Sequence, residues 1–204
     1  MMKKSFLILL TIILSSMLLG DTSWKYVKTK SGIKVYQRKV TKSKFDEFSG
    51  TGIINADIES INKIITKPKF FYTWMPKCIQ SIEIKPIGTG TTFTYYVESK
   101  SPWPMANRDM IVVVNVVKKP KTIIHYAKAL VKDSLKPKRK KIVRVIDMEA
   151  QWVLRSRGKK SLVTYTLRTN PGGNIPIGLM NAVGADLPID NIIGVRKRLK
   201  ALKK

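Results

Sequence analysis

The chain has 204 residues, of which 39 are Lys or Arg and 13 are Asp or Glu, giving a formal net charge of +26. That length holds one domain with a full core, and 44% hydrophobic with 25% charged residues is a globular rather than a disordered composition. A single histidine, His125, and a single cysteine, Cys78, exclude an intramolecular disulfide, a His/Cys metal site and a Cys–His dyad.

Lys3 and Lys4 precede an apolar run from Phe6 to Leu19 that ends near Gly20. This is the layout of a secretory signal peptide. Leu18 stands where a small residue usually precedes the cut, so an uncleaved N-terminal anchor is the alternative. The run is short for a membrane span, which takes about 20 residues. Either way an exported protein is expected, periplasmic or secreted, with residues 21–204 as its one domain. Residues 1–20 carry only those two lysines and no acid, so the remainder keeps +24. Such a surface is drawn to polyanions, and for an exported protein an anionic membrane is the nearest one.

Trp24–Val27 and Ile33–Tyr36 flank Ser31-Gly32 and read as a hairpin. Phe45–Ile54 is a third strand, loosened by Gly50 and Gly52. At Asp57–Thr66 the period changes, with Ile58, Ile61, Ile64 and Ile65 on one helical face and Asn55 or Asp57 as cap. A short helix after Pro68 carries Phe70, Phe71 and Trp74, read as core packing. Ser81–Ile87 and Thr91–Glu98 form a hairpin through Gly88-Thr89-Gly90, which is not a phosphate loop because no helix follows. Arg108–Val117, Thr122–Val131, Ile142–Arg155 and Leu162–Thr169 continue an antiparallel meander, with a basic loop at 132–141. Alternation in the long strand puts Ile146, Met148, Ala150, Trp152 and Leu154 on one face, and Asp147, Glu149 and Gln151 on the other.

Asn170-Pro171-Gly172-Gly173 marks a turn, and Asn174-Ile175-Pro176 opens a helix. Ile177, Met180, Val183 and Leu187 make one apolar stripe, Pro188 kinks or breaks the helix, and Ile192, Val195, Leu199 and Leu202 resume the stripe. About 25 helical residues span roughly 38 Å, enough to cross a small sheet. This helix is either an ordinary closing element or a lid over a cavity. An antiparallel sheet with one apolar face needs such a cover, and a strongly bent sheet commonly leaves a void beneath it.

Catalytic signals are absent. Asp147 and Glu149 sit on a polar strand face, Asp109 beside Arg108 reads as a structural ion pair or turn anchor, and Cys78 beside Ile79 reads as a small buried hydrophobe. The basic loop lacks interleaved aromatics, so specific nucleic-acid recognition is not expected. No cofactor and no metal are expected, and the chain is expected to be a monomer. In Pro102-Trp103-Pro104-Met105, two prolines present an indole on a stiff loop. Trp103 suits a bilayer interface, or alternatively folds back onto the closing helix as part of a gate.

Pro102-Trp103-Pro104-Met105-Ala106-Asn107-Arg108-Asp109, with Pro171-Gly172-Gly173-Asn174-Ile175-Pro176 and Leu179-Met180-Asn181 downstream, resembles the START lipid-transfer domain family. Trp24, residues 32–38, Trp74 and Val143-Arg144 extend the likeness over nearly the whole chain. The resemblance implies an α+β helix-grip fold, in which a curved antiparallel sheet wraps a long C-terminal helix around an internal cavity. It implies non-catalytic binding and transfer of a phospholipid, sterol or fatty acid at anionic membranes. The wider superfamily also offers cyclase- or hydrolase-like chemistry in the same cavity, with His125 and Tyr95 as the acid–base candidates.

By the same resemblance the ligand-binding residues are Phe93, Tyr95, Val97, Met110, Val112, Val114, His125, Trp152 and Tyr165 from the sheet, with Met180, Val183 and Leu187 from the helix. The gate is Pro102, Trp103, Pro104 and Met105, facing the helix near Met180. Lys136, Lys138, Arg139, Lys140 and Lys141 form the membrane-facing basic loop. Steroid-handling relatives pair a buried acid with an Arg inside the tunnel. Here Tyr95 and Val114 stand at those places, so Tyr95 and His125 are the only polar handles expected.

Overall fold

The computed structural model describes residues 23–41, 43–85 and 90–203. The apolar run at 1–20, and Gly88 and Thr89 of the expected hairpin turn, lie outside these residues. Strands β1 (Lys25–Lys30) and β2 (Ile33–Arg38) turn through Ser31 and Gly32 at φ of 53° and 69°, the double positive φ that matches strand twist in a two-residue hairpin. Strand β3 (Glu47–Ile54) leads into helix α1 (Ile58–Ile65), where the Asp57 carboxylate accepts from the Ser60 N–H at 2.8 Å. That is an N-cap at the place its sequence suggests. A 3-10 helix (Pro68–Thr73) follows.

Seven further strands come next: β4 (Cys78–Lys85), β5 (Thr92–Ser99), β6 (Asn107–Lys119), β7 (Thr122–Ala129), β8 (Ile142–Arg144), β9 (Asp147–Arg157) and β10 (Lys160–Asn170). Helices α2 (Ile177–Gly184) and α3 (Asp186–Ala201) close the chain. The sheet runs β1-β2-β3-β10-β9-β7-β6-β5-β4, antiparallel throughout, with β8 added parallel to β6. Both edge strands are bulged, β1 between Tyr26 and Lys28, and β4 between Cys78 and Gln80 and between Glu83 and Lys85. This is the helix-grip architecture: one bent sheet around the terminal helices.

Two expectations need correction. The strand expected over 142–155 is two strands. After Arg144 the chain leaves β6, Val145 N–H donates to the Asp109 carbonyl at 2.8 Å, and the chain rejoins the sheet beside β7. Ile146 falls at this break and is 57% exposed, off the face it was expected to share with Met148. The terminal helix is also interrupted earlier than expected, at Ala185 rather than at Pro188. Proline is the cause in either case: Pro188 has no N–H for the Gly184 carbonyl four residues back, and its ring crowds that carbonyl. The break therefore surfaces one turn upstream, and Pro188 sits in the first turn of α3, where a missing N–H costs nothing.

The two helices are held very differently. Ile189, Ile192 and Val195 of α3 are fully buried against the sheet. The approach is so close that a Cβ on Gly50 of β3 would lie 2.6 Å from the Pro188 Cβ, and one on Gly194 would overlap the Trp74 carbonyl oxygen. In α2, by contrast, Ile177, Leu179 and Val183 are 41–51% exposed, and only Gly184 is buried. The stripe read as continuous is therefore split: α3 is the closing element and α2 a loosely seated lid.

Gly194→Ala is expected to destabilise the fold by about 2 kcal/mol or more through overpacking against backbone. Gly178→Ala, at a helical position with nothing within 4 Å of its Cβ, should be neutral or slightly stabilising. Urea denaturation of both variants tests the contrast.

A cavity beneath the terminal helices

A cavity of about 460 Å³ lies between the inner face of the sheet and residues 175–191, within the range of small-molecule sites. Two wider grooves are surface features. One crosses the outer face of the sheet beside Trp24, Tyr126 and Glu149; the other lies between α1 and the end of α3 beside Lys63, Arg198 and Lys203. Both are flanked by charged side chains, whereas the wall under α2 is dominated by aromatic and aliphatic groups.

Strand parity delivers most of that wall. Phe93, Tyr95 and Val97 of β5 line it, as do Met110 and Val114 of β6, His125 of β7, Trp152 of β9 and Tyr165 of β10. Neither β7 nor β9 shifts register where they pair, so His125, Trp152 and Tyr165 fall on one rung across three strands. Met180, Val183 and Leu187 form the roof. Val112 is the exception. It shares the parity of its neighbours but is wholly buried in the apolar core and does not reach the cavity.

Sequence reasoning missed several wall residues. Phe71 and Trp74 come from the 3-10 helix and its end, and Met148, Leu167 and Asn191 from β9, β10 and α3. Met148 lies four residues from Trp152 and Leu167 two from Tyr165, each with like parity, so alternation carries that signal. Asn191, four residues beyond Leu187, is a polar interruption of the helical stripe, legible in the same way.

The polar groups of the cavity are uncharged inside and cationic at its mouth. Tyr95 and Tyr165 are buried, and neither hydroxyl has a hydrogen-bond partner among the described residues. Burial holds both phenols well above their ordinary pKa, and the nearby Tyr165 adds to the shift at Tyr95. The His125 Nε2–H donates to the Asn62 Oδ1 at 2.8 Å, and burial, with Lys118 nearby, holds its pKa down at about 4. The ring is therefore neutral and fixed in one tautomer, with Nδ1 bearing the lone pair. Asn191 Nδ2 donates to the Leu187 carbonyl at 2.9 Å, leaving its Oδ1 without a donor among the described residues. Trp74 Nε1 is enclosed with no partner among the described residues. Cys78 is inert, its thiol pushed up to about 11 by burial.

Lys77, Lys100 and Arg108 stand at the mouth, and no carboxylate lines the cavity among the described residues. Arg108 does not pair with Asp109. Adjacent residues on a strand face opposite ways, and the Arg108 guanidinium instead donates to the Ala106, Pro171 and Gly172 carbonyls and to Ser101 Oγ. It thereby ties the 101–107 loop to the turn before α2. In that loop Pro102 and Met105 line the cavity, whereas Trp103 is 92% exposed and Pro104 points outward with it. Trp103 does not fold back onto the helix.

The true partner of Asp109 is Arg144, whose Nε lies 2.7 Å away with both side chains almost fully buried. Tyr96 OH donates to the same carboxylate, and burial together with Asp109 pushes this phenol up to about 12. The basic loop folds over this network on the outside of β5 and β6. Arg139 pairs with Glu98 and Tyr96, Lys136 stacks over the Tyr96 ring at 5.1 Å, and Lys138 reaches Asp133 at 3.3 Å. Arg139 is bound to Glu98 and Tyr96 yet remains exposed, as do Lys140 and Lys141. Asp147 and Glu149 both face Arg168 on the outer surface.

The family model of the START domain matches residues 7–204. The chain belongs to the START domain family. An uncharacterized protein of Pseudomonas aeruginosa, PA1579, is 31% identical over 175 residues, which is 85% of each chain. The STAR-related lipid transfer protein of Xanthomonas axonopodis superposes with a TM-score of 0.79 at 30% identity, covering 87% of this chain and 98% of that one. Human StAR-related lipid transfer protein 5 reaches the same TM-score at 17% identity, covering 96% and 94%. The fold extends to a Streptomyces aromatase/cyclase, TM-score 0.52 at 9% identity over 78% of this chain and 95% of that one. The START fold, with an apolar cavity beneath its terminal helices, supports the binding of a hydrophobic ligand.

Two measurements test the site's electrostatics. Arg144→Met alone should cost about 3–5 kcal/mol by leaving Asp109 buried and unpaired, and adding Asp109→Leu should restore much of the loss; denaturation of single and double variants decides. The depressed pKa of His125 sets the sign of the second. Above pH 6.5 the ring is neutral folded or unfolded, whereas between about 6.5 and 4 only the unfolded chain takes up the proton. Stability should therefore fall as pH falls through that window, by roughly 3 kcal/mol at about 1.4 kcal/mol per pKa unit. His125→Gln should remove this component of the pH profile.

Proposed function

We propose that this START domain binds one hydrophobic lipid in its cavity and exchanges it at anionic membranes, without chemistry on the lipid. The observation that carries the reading is a cavity with an aromatic and aliphatic wall, lined by no carboxylate among the described residues, beneath a loosely seated lid. Each methylene moved from water into such a wall contributes about 0.8 kcal/mol, so one acyl chain binds well with few polar contacts.

Ile177 of α2, with Trp103 and its flanking prolines, leaves apolar surface bare beside the mouth. A bilayer interface covers such a surface, and an indole suits the boundary. Lys77, Lys100, Lys140 and Lys141 would supply attraction to anionic headgroups, at about 1 kcal/mol each near the surface and screened by salt. An N-terminus of signal type would place this monomeric carrier outside the cytoplasm.

Cyclase-like chemistry is the lesser reading. Burial holds the chain's one histidine, His125, at a pKa of about 4, far from the near-neutral value that suits a general acid or base.

Native mass spectrometry of the purified protein is expected to show a co-purified lipid; a protein that is empty and cannot be loaded would overturn the reading. Trp103→Ala should slow transfer between anionic vesicles by about tenfold, the loss of one interfacial anchor, while leaving bound lipid in place. His125→Ala should leave loading intact; a lipid converted by the wild type and not by this variant would favour the enzyme reading.

A further inference from the structure

The mouth and lid occupy one end of the molecule. At the other end a groove of about 770 Å³ lies between α1, the β9–β10 turn and the last turns of α3. Separate stretches of chain line it with cations: Lys63 from α1, Lys67 just beyond that helix, Lys159 from the turn, and Arg198 and Lys203 from the chain's end. None of the five is in an ion pair among the described residues. The acid that lines the groove, Asp57, is already engaged, accepting from the Ser60 N–H at 2.8 Å and from its hydroxyl at 2.7 Å. Like charges gathered in one concave place repel one another, and an anion seated among them relieves that cost.

The floor between the cations is apolar. Ile64 and Leu199 form part of it, and Leu202 stands 60% exposed at its edge. Trp74 borders this groove as well as the cavity, and its buried indole N–H is without a partner among the described residues. That group can only donate, as a site for an anion requires. Phe70 does not offer a free stacking face, because Lys69 and Arg198 lie over its ring at 5.2 and 5.8 Å. Cations around an aliphatic floor, without an open aromatic platform, suit a lipid head group and its stem better than the bases of a nucleic acid.

The groove is remote from the mouth. Strand β10 begins at Lys160, next to Lys159, and ends at Asn170, just before the Pro171 carbonyl that holds Arg108 at the mouth. At about 3.3 Å per residue the strand is roughly 33 Å long. That is about three times the screening length of roughly 10 Å at 0.1 M salt, so the two ends attract charge independently.

We propose that this groove is a second docking site for the anionic head groups of a bilayer, so that one molecule holds two acidic membranes, one at its mouth and one at its far end. The bridging rests on the membrane-docking reading of the mouth; the pull of the groove on acidic head groups does not.

The test mixes the full chain with vesicles of phosphatidylcholine and phosphatidylglycerol, reading clustering by turbidity and attachment by co-sedimentation. Wild type should cluster these vesicles, leave pure phosphatidylcholine vesicles dispersed, and lose the effect as salt is added. Lys63→Gln/Lys67→Gln/Lys159→Gln should raise the protein concentration for half-maximal turbidity by about a hundredfold, three attractions each worth about fivefold. It should still co-sediment through the mouth. Lys34→Gln/Lys44→Gln/Lys85→Gln removes the same charge from exposed positions outside the groove, and should shift that concentration less than about threefold. All variants keep the same N-terminus, so clustering caused by residues 1–20 would survive in the groove variant. Clustering that survives there, or that the control variant loses equally, overturns the proposal. Wild type that co-sediments without clustering overturns the bridge and leaves the carrier reading standing. Wild type that does not co-sediment overturns docking at both ends. A shift of duplex DNA that the groove variant loses, with no clustering of vesicles, overturns the proposal by assigning the groove to nucleic acid.

Discussion

The fold depends on how closely the last helix approaches β3 and the end of the 3-10 helix. Gly194 against the Trp74 carbonyl and Gly50 against Pro188 bring α3 nearer than any side chain would allow, and Ile189, Ile192 and Val195 then close the core completely. Packing this tight is intolerant of added volume. It holds only one end of the helical pair. Pro188 uncouples α2 from it by removing one hydrogen bond, so the segment over the cavity inherits the direction of α3 without its grip. A rigid anchor and a loosely seated lid come from one stretch of chain.

The mouth has its own support, built on the far side of the sheet. Both faces of β5 are buried, the inner one against the cavity and the outer one under residues 136–139. Arg144, Asp109, Tyr96, Arg139 and Glu98 form a polar layer beneath that cover, and Asn107 joins Glu98 to the base of the 101–107 loop. Arg108, pointing the other way from the same strand, fastens that loop to the turn before α2. Two adjacent residues of β6 thus brace the doorway from opposite faces. A buried ionic layer of this kind adds little net stability over an apolar one, but it tolerates the loss of a partner badly.

Much of this was legible in the sequence. Alternation alone puts Phe93, Tyr95 and Val97 together, and since β7 and β9 keep register it places His125 and Trp152 correctly as well. What periodicity gives is a side of the sheet, not the extent of a void, which is why Val112 could not be told from Met110 and Val114. Arg108 and Asp109 looked like partners because they are adjacent, whereas strand geometry sends them apart; Arg144 is 35 residues from Asp109 and no local pattern announces it. Ile146 departs from its expected face because the short parallel addition to β6 ends just before it, and a switch of neighbours leaves no mark on hydrophobic alternation. Asn191 and Trp74 were visible as residues, but their unmet hydrogen bonds exist only once the chain is folded.

The two sheet edges have a consequence of their own. An open ten-stranded sheet ends in two edge strands, each a template on which another chain could lay a strand. Here β1 carries Lys25, Lys28 and Lys30 with an irregularity after Tyr26, and β4 is irregular twice. A second copy arriving at either margin would meet like charge on one side and mismatched amide spacing on the other. The surplus of lysine that draws the molecule toward acidic surfaces therefore also guards it against polymerising with itself.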